Sequence, residues 1–417
     1  MIKLGDVVTL VNDNDYDPIN NGVKKYVAGG HMESEKLHIQ KFGDVVTDSE
    51  VIGSAFHKLF KKNHILYGTR FPNLKKASIA TFDGLCANTT LVLKTKSNSD
   101  LIDGLLPFIL QWDKFTEYSI KKTVGSTNPY VKWSDLKNFE FFLPSKNEQL
   151  KLHDLFWAIQ NSIDNLEDLI QKTNLYFISK REQLFSKGID HTQFRSIKSL
   201  YGTIVKIPKS WDLKTFDELF TFLKTGTNPR SDLETSGNFQ YIHYGDVHQK
   251  WTTYVLDCDV EQLPYIPENK VKQISLLKDD DLVIVDASED HEGSGTSILL
   301  KNIKKKKIVA GLHTYALRSK KNNLTSNYKI FLTSIPFVKK QIISFITGIS
   351  VYGLSKTNLK NILIPLPSLS EQEKISTILL SIQEQLLEQN SHLKNLYALR
   401  KSTLNLKLTT ENSDVSN

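Results

Sequence analysis

Leu359-Lys360-Asn361-Ile362-Leu363-Ile364-Pro365-Leu366-Pro367-Ser368-Leu369-Ser370-Glu371-Gln372 sets the architecture of this chain, because a partial copy of it runs from Leu136-Lys137-Asn138 to Glu148-Gln149. The offset is constant at 223, the difference between Leu359 and Leu136. It also carries Pro144-Ser145 onto Pro367-Ser368 and Gly125 onto Gly348 without a gap. Agreement over such unlike residue types marks an internal duplication, and a duplicated unit presents two copies of one surface. Working outward, Tyr26-Val27 before Gly30 resembles Tyr241-Ile242 before Gly245. Ile65–Gly68 followed by Gly84-Leu85 resembles Leu282–Val285 followed by Gly311-Leu312. Spacing between these anchors varies, so each unit reads as a drifted globular domain followed by a more uniform helix.

The helices follow directly from periodicity. After the second block, Ile375, Ile378, Leu379, Ile382, Leu386, Leu393, Leu396 and Leu399 recur at helical spacing. After the first, Leu152, Leu155, Phe156, Ile159, Ile163, Leu166, Leu169 and Ile170 form the matching stripe. Ser370 with Glu373 three residues on reads as a capping box, and Asn147 reads as the cap of the first copy. A helix of about 37 residues rises roughly 55 Å and needs a partner for its apolar stripe. Either each helix packs on its own domain, or the two pair as an antiparallel coiled coil. The second arrangement is expected, with Leu152, Leu155, Ile159, Ile163 and Leu166 of the first helix and Ile375, Ile378, Ile382, Leu386 and Leu396 of the second as the pairing residues. Gln389 and Thr173 fall on the stripe as register-setting polar residues.

The globular parts mix β-branched and aromatic runs with turn residues: Asp44–Val46, His64–Tyr67, Thr90–Leu93, Leu282–Val285 and Lys307–Ala310. Short helices are expected at Asp100–Phe108 and Tyr328–Ile346. The fold class is mixed α/β (α+β), with two globular recognition domains each followed by a long helix. The expected layout is domain 1 over 1–144, helix over 145–187, linker over 188–207, domain 2 over 208–367, helix over 368–408, and a polar tail over 409–417.

With 417 residues, 40% apolar and 24% charged, the composition is that of a globular chain of two or three domains. The net charge of +7 permits a polyanionic partner without demanding one. Cys86 and Cys258 cannot build a disulfide framework or a cysteine-based zinc site. Met1 to Leu10 lacks a signal-peptide pattern, and no apolar run is long enough to span a membrane, so a cytoplasmic location is expected.

The block Leu359–Ile362, Ile364–Pro367 and Glu371-Gln372 resembles the specificity subunit of type I restriction–modification systems. Pro208–Trp211 and Thr225–Pro229 resemble the opening of that family's target-recognition domain. The first copy departs from the pattern: Phe142 stands where the second has Pro365, and no Trp opens the first domain. The resemblance implies a non-catalytic subunit that reads a bipartite, asymmetric site in double-stranded DNA, one half per domain, with the helices setting the unread gap. It implies partners as well: modification (adenine methyltransferase) subunits and restriction (motor endonuclease) subunits. S-adenosylmethionine, ATP and Mg are expected on those partners and no cofactor or metal on this chain.

A stand-alone adenine methyltransferase needs a Gly-rich turn after a strand and an Asn/Asp-Pro-Pro-aromatic motif. Gly293-Ser294-Gly295 and Asn128-Pro129-Tyr130 are partial matches, the first better read as a hairpin-type turn. Asp279-Asp280-Asp281 reads as a solvated turn before a strand rather than a metal site. The eleven histidines are scattered, and there is no Gly-x-x-x-x-Gly-Lys-Ser/Thr. Phosphate contacts are expected from Lys61, Lys62, Lys75 and Lys76, and from Lys304, Lys305, Lys306 and Lys307. Base readers are expected among Arg70, Asn73, Asn228, Arg230, His243 and Tyr244, since arginine is the strongest bidentate reader of guanine. A coiled-coil adaptor without sequence-specific DNA binding is the alternative that the mild charge leaves open.

Overall fold

The computed structural model describes residues 1–50, 52–199, 202, 204–251, 254–288, 293–348 and 352–409. The expected disordered tail therefore lies almost wholly outside the described residues. The chain divides into two units: Met1–Asp168 with Asn390–Asn417, and Leu169–Gln389. Each long helix, Lys146–Lys187 and Leu369–Thr409, contributes one half to each unit.

In the first unit, Ile2–Lys3 pairs antiparallel with Glu140–Phe141. A four-stranded sheet runs in the order Val8–Val11, Thr90–Thr95, Ile65–Gly68, Ala77–Ile79. A second sheet runs Gly43–Asp44, Lys25–Val27, Gly84–Ala87, Phe56–Phe60, with Lys25–Val27 parallel to Gly84–Ala87. The alternation of β-branched and aromatic residues buries Leu66, Val92, Cys86 and Val27 between the layers.

The second unit repeats this plan. Asp212–Thr215 pairs with Leu363–Leu366. One sheet runs Phe220–Phe222, Thr314–Ser319, Leu282–Val285, Ser297–Lys301, Val255–Asp257, and the other Tyr265–Ile266, Phe239–Ile242, Lys307–Ala310. Its parallel pair is Phe239–Ile242 beside Lys307–Ala310. The likeness of Ile65–Gly68 to Leu282–Val285 holds, since each lies between the corresponding antiparallel neighbours of its sheet. That of Gly84-Leu85 to Gly311-Leu312 does not. Leu85 lies opposite Tyr26 and Val309 opposite Tyr241, so the strands correspond three residues earlier than the glycines suggest.

The offset of 223 also aligns elements that sequence did not resolve. Helix Asp113–Lys121 corresponds to Pro336–Phe345, and the isolated bridge Val124–Tyr130 to Thr347–Gly353. The helical stretches expected at 100–108 and 328–346 are broken: Leu106–Leu110 stands alone, and Ser326–Ile330, Leu332–Ser334 and Pro336–Phe345 are separate turns and helices, the last begun by its proline.

Both long helices are capped two residues before the expected caps, at Ser145 and Ser368. Ser145 caps the first in a reciprocal box with Glu148: the Ser145 amide donates to Glu148 Oε2 at 2.9 Å, and the Glu148 amide to Ser145 Oγ at 3.4 Å. Ser368, its counterpart at the same offset, accepts from the Glu371 amide at 3.3 Å. Gln149 and Gln372 behind these caps are buried and identically used. Gln149 Nε2 donates to Pro144 O at 2.8 Å, while Gln372 Nε2 donates to Pro367 O at 3.0 Å. Their Oε1 atoms accept from the amides of Ile102 and Thr325, both at 2.9 Å. The repeated Glu-Gln is thus a joint: it satisfies backbone groups of the domain at the point where the helix leaves it.

Both helix arrangements considered from sequence occur, in different stretches. Leu152 and Phe156 join Leu404 and Leu408 in the first unit's core beside Phe108 and Leu105, and Ile375, Leu379 and Ile382 join Phe177, Leu184 and Phe185 in the second's. Nearer the middle, helix packs on helix. In the first unit Arg400 donates to Gln160 Oε1 at 2.5 Å and Tyr397 to Glu167 Oε1 at 2.7 Å; in the second Gln389 donates to Thr173 Oγ1 at 3.3 Å. One helix's numbers rise as the other's fall, so the pairing is antiparallel. Ile159 and Ile163 are buried, and Leu166, Ile378, Leu386 and Leu396 are half-buried. Leu155 is a correction: it is 44% exposed, turned away from the buried face of 152, 156, 159 and 163 and lining an open groove with Phe142 and Leu406.

The stretch taken as a linker is structured. Phe194–Lys198 and Ile204–Pro208 form an antiparallel hairpin, after which Trp211 is buried and donates from Nε1 to Glu371 Oε2 at 2.9 Å. Glu371 Oε1 accepts from the Ile189 amide at 3.0 Å and lies 2.8 Å from His191 Nε2.

Candidate nucleic-acid interface

In each unit one end of the sheets carries loops rich in polar and aromatic groups. In the second unit this is the end where the parallel strands Phe239–Ile242 and Lys307–Ala310 both finish. His243 follows the first strand and caps the short helix Tyr244–Gln249, its Nδ1 accepting from the Gly245 amide at 3.2 Å. Arg230, in the turn Arg230–Asp232, reaches the same place: its Nη2 lies 3.0 Å from Asp246 Oδ1 and 3.3 Å from His243 Nδ1. With Nδ1 accepting, the imidazole proton sits on Nε2. Burial, reinforced by the Arg230 charge, lowers the His243 pKa, so the ring is neutral at pH 7.

Asp246 is the hub. It is nearly fully buried and its Oδ1 also takes Lys250 at 3.0 Å. Arg230 itself is half-exposed, so the guanidinium is held by one edge with donors left toward solvent. Tyr244 lies against His243 with ring centroids 4.5 Å apart and planes tilted by 33°, and His313 meets Tyr244 edge-on at 5.3 Å. His313 is in turn fixed by Asp286, Nδ1 to Oδ1 3.2 Å, where burial raises the Asp286 pKa. Asn228 donates to Asp232 at 2.8 Å, and its carbonyl accepts the Tyr241 hydroxyl at 2.9 Å, tying down the turn that presents Arg230. Asn228, Arg230, His243 and Tyr244 are therefore brought together. Asp246, Lys250, Asp286 and His313 were missed; an Asp in the first turn after a capping residue was the one available signal for Asp246.

The corresponding end of the first unit holds Arg70, Asn73, Lys75 and Lys76. Arg70 is exposed and its backbone bridges Tyr130, while the Phe71 amide donates to Pro129 O at 3.0 Å. Phe71 and Lys75 both have positive φ, at 51° and 49°, flanking the turn Pro72–Leu74. Lys76 donates to Gly29 O at 2.6 Å. Lys75 is turned inward: its ammonium lies 3.0 Å from Glu35 and 2.5 Å from Asp113, and although burial opposes its charge these carboxylates hold the pKa above lysine's usual value. As placed, its charge is already neutralised.

The other lysines lie elsewhere. Lys61 and Lys62 precede strand Ile65–Gly68 whereas Arg70 follows it, and Asp83 pairs with Lys61 at 3.3 Å. Lys304–Lys306 precede, and Lys307 opens, the strand whose far end meets the His243 cluster. Lys304 pairs with Asp259, Lys306 donates to the Cys258 carbonyl, and Lys307 lies 5.0 Å over the Phe239 ring. Gly293–Gly295 forms a turn between antiparallel strands, as expected. Asp279–Asp281 is not merely solvated. Asp281 is buried against Arg318 at 2.6 Å, Asp280 pairs with Lys301 at 2.7 Å, and Asp279 caps the Ile303 amide at 2.7 Å.

A duplicated scaffold that raises exposed arginine, aromatic and amide groups on loops at one end of each unit defines a recognition protein with two sites of one kind. The sequence model described as "Type I restriction modification DNA specificity domain" matches residues 1–175 and 208–395. The chain belongs to that family of specificity subunits. It is 24% identical over 340 residues to the type I restriction enzyme MjaVIII specificity subunit of Methanocaldococcus jannaschii, covering 78% of this chain and 74% of that one. In fold it is similar to the type I restriction-modification S subunit from M. genitalium: TM-score 0.56, 16% identity, 96% and 94% of the two chains. It is similar too to a chain solved in work on complex assembly and conformational transition of the type I R-M system: TM-score 0.58, 16% identity, 97% and 96% of the two chains. Among the described residues no helix is long and apolar enough to cross a membrane.

Proposed function

We propose that this specificity subunit reads a split, asymmetric site in double-stranded DNA, one half with the Arg70 loop face of the first unit and the other with the Arg230–His243–Tyr244 face of the second. The observation that carries this reading is the recurrence of one topology in both units with different side chains at the same sheet end. Two copies of one fold suit two half-sites, and different loops suit unlike sequences. Arg230, anchored through one edge to Asp246, keeps donors for the O6/N7 edge of guanine, and Tyr244 and His313 offer ring faces or edges to a neighbouring base. The chain contributes recognition and scaffolding without catalysis. Modification subunits supply adenine methylation with S-adenosylmethionine, and restriction subunits supply ATP- and Mg-dependent cleavage, in the cytoplasm.

Co-expression with the neighbouring modification subunit, followed by genome-wide mapping of methylated adenine, tests the proposal. The expected result is marks confined to one split motif and absent without this chain. Arg230→Ala is expected to relax one half of that motif and Arg70→Ala the other, each guanine contact being worth about 1–3 kcal/mol of discrimination. A stable complex that writes no motif, or writes it equally without this chain, would sink the reading in favour of an adaptor.

A further inference from the structure

Each unit has a cleft where the loop after its central strand approaches a long helix. The two clefts lie at equivalent places in the repeat: strand register matches Lys75 to Gly295, and the offset of 223 matches Gln111 to Ser334 and Leu404 to Arg181. In the first unit the cleft holds Lys75, Lys401 and Arg400 together with their own anions. Asp113 takes Lys75 and Lys401 at 2.5 and 2.9 Å, and Glu35 takes Lys75 at 3.0 Å. In the second unit Pro336 stands at the place of Asp113. A cavity of about 140 Å³ is lined by Arg181, Lys339, Tyr254 and Thr333, with Gly295 at φ +81° where the first unit has a lysine side chain, and no carboxylate stands among its described lining residues.

We propose that this second-unit cleft binds a phosphate-class oxyanion. Arg181 Nε is buried there without a hydrogen-bond partner, an arrangement that costs free energy until an acceptor arrives. The guanidinium fork matches an oxyanion edge, and its ring-side face is occupied by Phe177, centroid 5.6 Å away, which leaves the N–H edge for a ligand. Lys339 at the exposed rim adds a second positive charge. Thr333, whose hydroxyl is hydrogen-bonded to that of Ser297 at 2.7 Å, and Tyr254 line the same cleft beside the two cations. Free phosphate and a phosphodiester of the DNA backbone share this chemistry. A free anion would bind here whatever the base-reading faces do, whereas the phosphodiester source rests on the DNA-reading function proposed above.

The test uses the full chain at constant ionic strength, titrated with inorganic phosphate against acetate and chloride controls and read by calorimetry and melting temperature. Saturable phosphate binding is expected, weakened at least tenfold by Lys339→Met, whose exposed side chain can be removed without touching the core, and again by Arg181→Met. In parallel, binding to non-specific duplex DNA is measured against salt. A slope reduced by about one in Lys339→Met, with phosphate competing beyond its ionic strength, identifies the backbone as the source. An unchanged slope with phosphate binding retained by the wild type identifies a free anion. If phosphate acts no differently from acetate and chloride, and neither variant changes the DNA slope, the proposal is overturned.

Discussion

The two helix joints differ where the repeat would have them alike. At the second, Glu371 holds the chain that leaves the other helix: it takes the Trp211 indole and the Ile189 amide and lies against His191, while Ile189 and Val205 pack on the core beneath. At the first, Glu148 sits over its own cap residue Ser145, and an open groove of about 420 Å³ lies beside it, lined by Phe142, Pro144, Leu152, Leu155 and Leu406. The same Glu-Gln therefore serves two purposes. The glutamine is the constant part of the joint and the glutamate the adaptable one. A retained motif in a duplicated chain need not mean retained contacts, and the residue beside an invariant anchor can be re-employed.

The largest expected effect breaks this comparison at its most asymmetric point. Trp211→Ala removes a fully buried indole that has no counterpart in the first unit's described joint, and should destabilise the second unit by about 3–5 kcal/mol. Hydrogen exchange resolved by peptide should show faster opening throughout the second unit's core, with the first unit's strands Ile65–Gly68 and Thr90–Thr95 unaffected. Equal loosening of both units would mean that they do not open separately.

Much of this architecture was legible in sequence, and the reason is the same constancy. From Asp113 onward the copies keep one offset, so the two long helices and their repeated Glu-Gln could be read directly, and helical periodicity put Thr173 and Gln389 on the stripes where they meet. The domains before that point have drifted in loop length, and only strands with buried β-branched runs stood out. Two serines two residues apart, Ser368 and Ser370, made the cap ambiguous, and the winner was decided by Pro367, whose carbonyl is held by Gln372. At the candidate interface, residue type located Arg230, His243 and Tyr244. It could not show that Asp246 anchors them or that Lys75 is spent on Asp113 and Glu35, because those partners lie 16, 38 and 40 positions away. Charge visible in sequence is not charge available to a ligand.

The next effect should confirm the constant half of the joint. Gln149→Leu and Gln372→Leu each strand the same kinds of backbone group, and each should cost its own unit about 2–3 kcal/mol. Unequal costs, read by the same exchange measurement, would deny that the joint is conserved in function. The adaptable half should then show its difference. Glu371→Gln replaces an acceptor of the Trp211 and Ile189 N–H groups and should cost the second unit about 1–2 kcal/mol, with the opening of the first unit's strands unchanged.

The smallest effect concerns pH, and each unit carries one histidine that shows it. Burial lowers the pKa of His64 in the first unit and of His243 in the second below 6.5, the Arg230 charge adding to the shift at His243. The unfolded chain then binds a proton that the folded one refuses, so each unit loses stability as pH falls from about 6.5 toward the folded-state pKa, and neither histidine contributes any dependence above that window. His243→Asn should flatten this dependence for the second unit alone. Because Nδ1 of His243 must stay unprotonated to accept from Gly245 beside Arg230, protonation should also free the Arg230 turn, and base discrimination at the second half-site should weaken over the same pH window in which the first half-site holds. Parallel loss at both half-sites would assign the effect to the DNA or to the chain as a whole rather than to this ring.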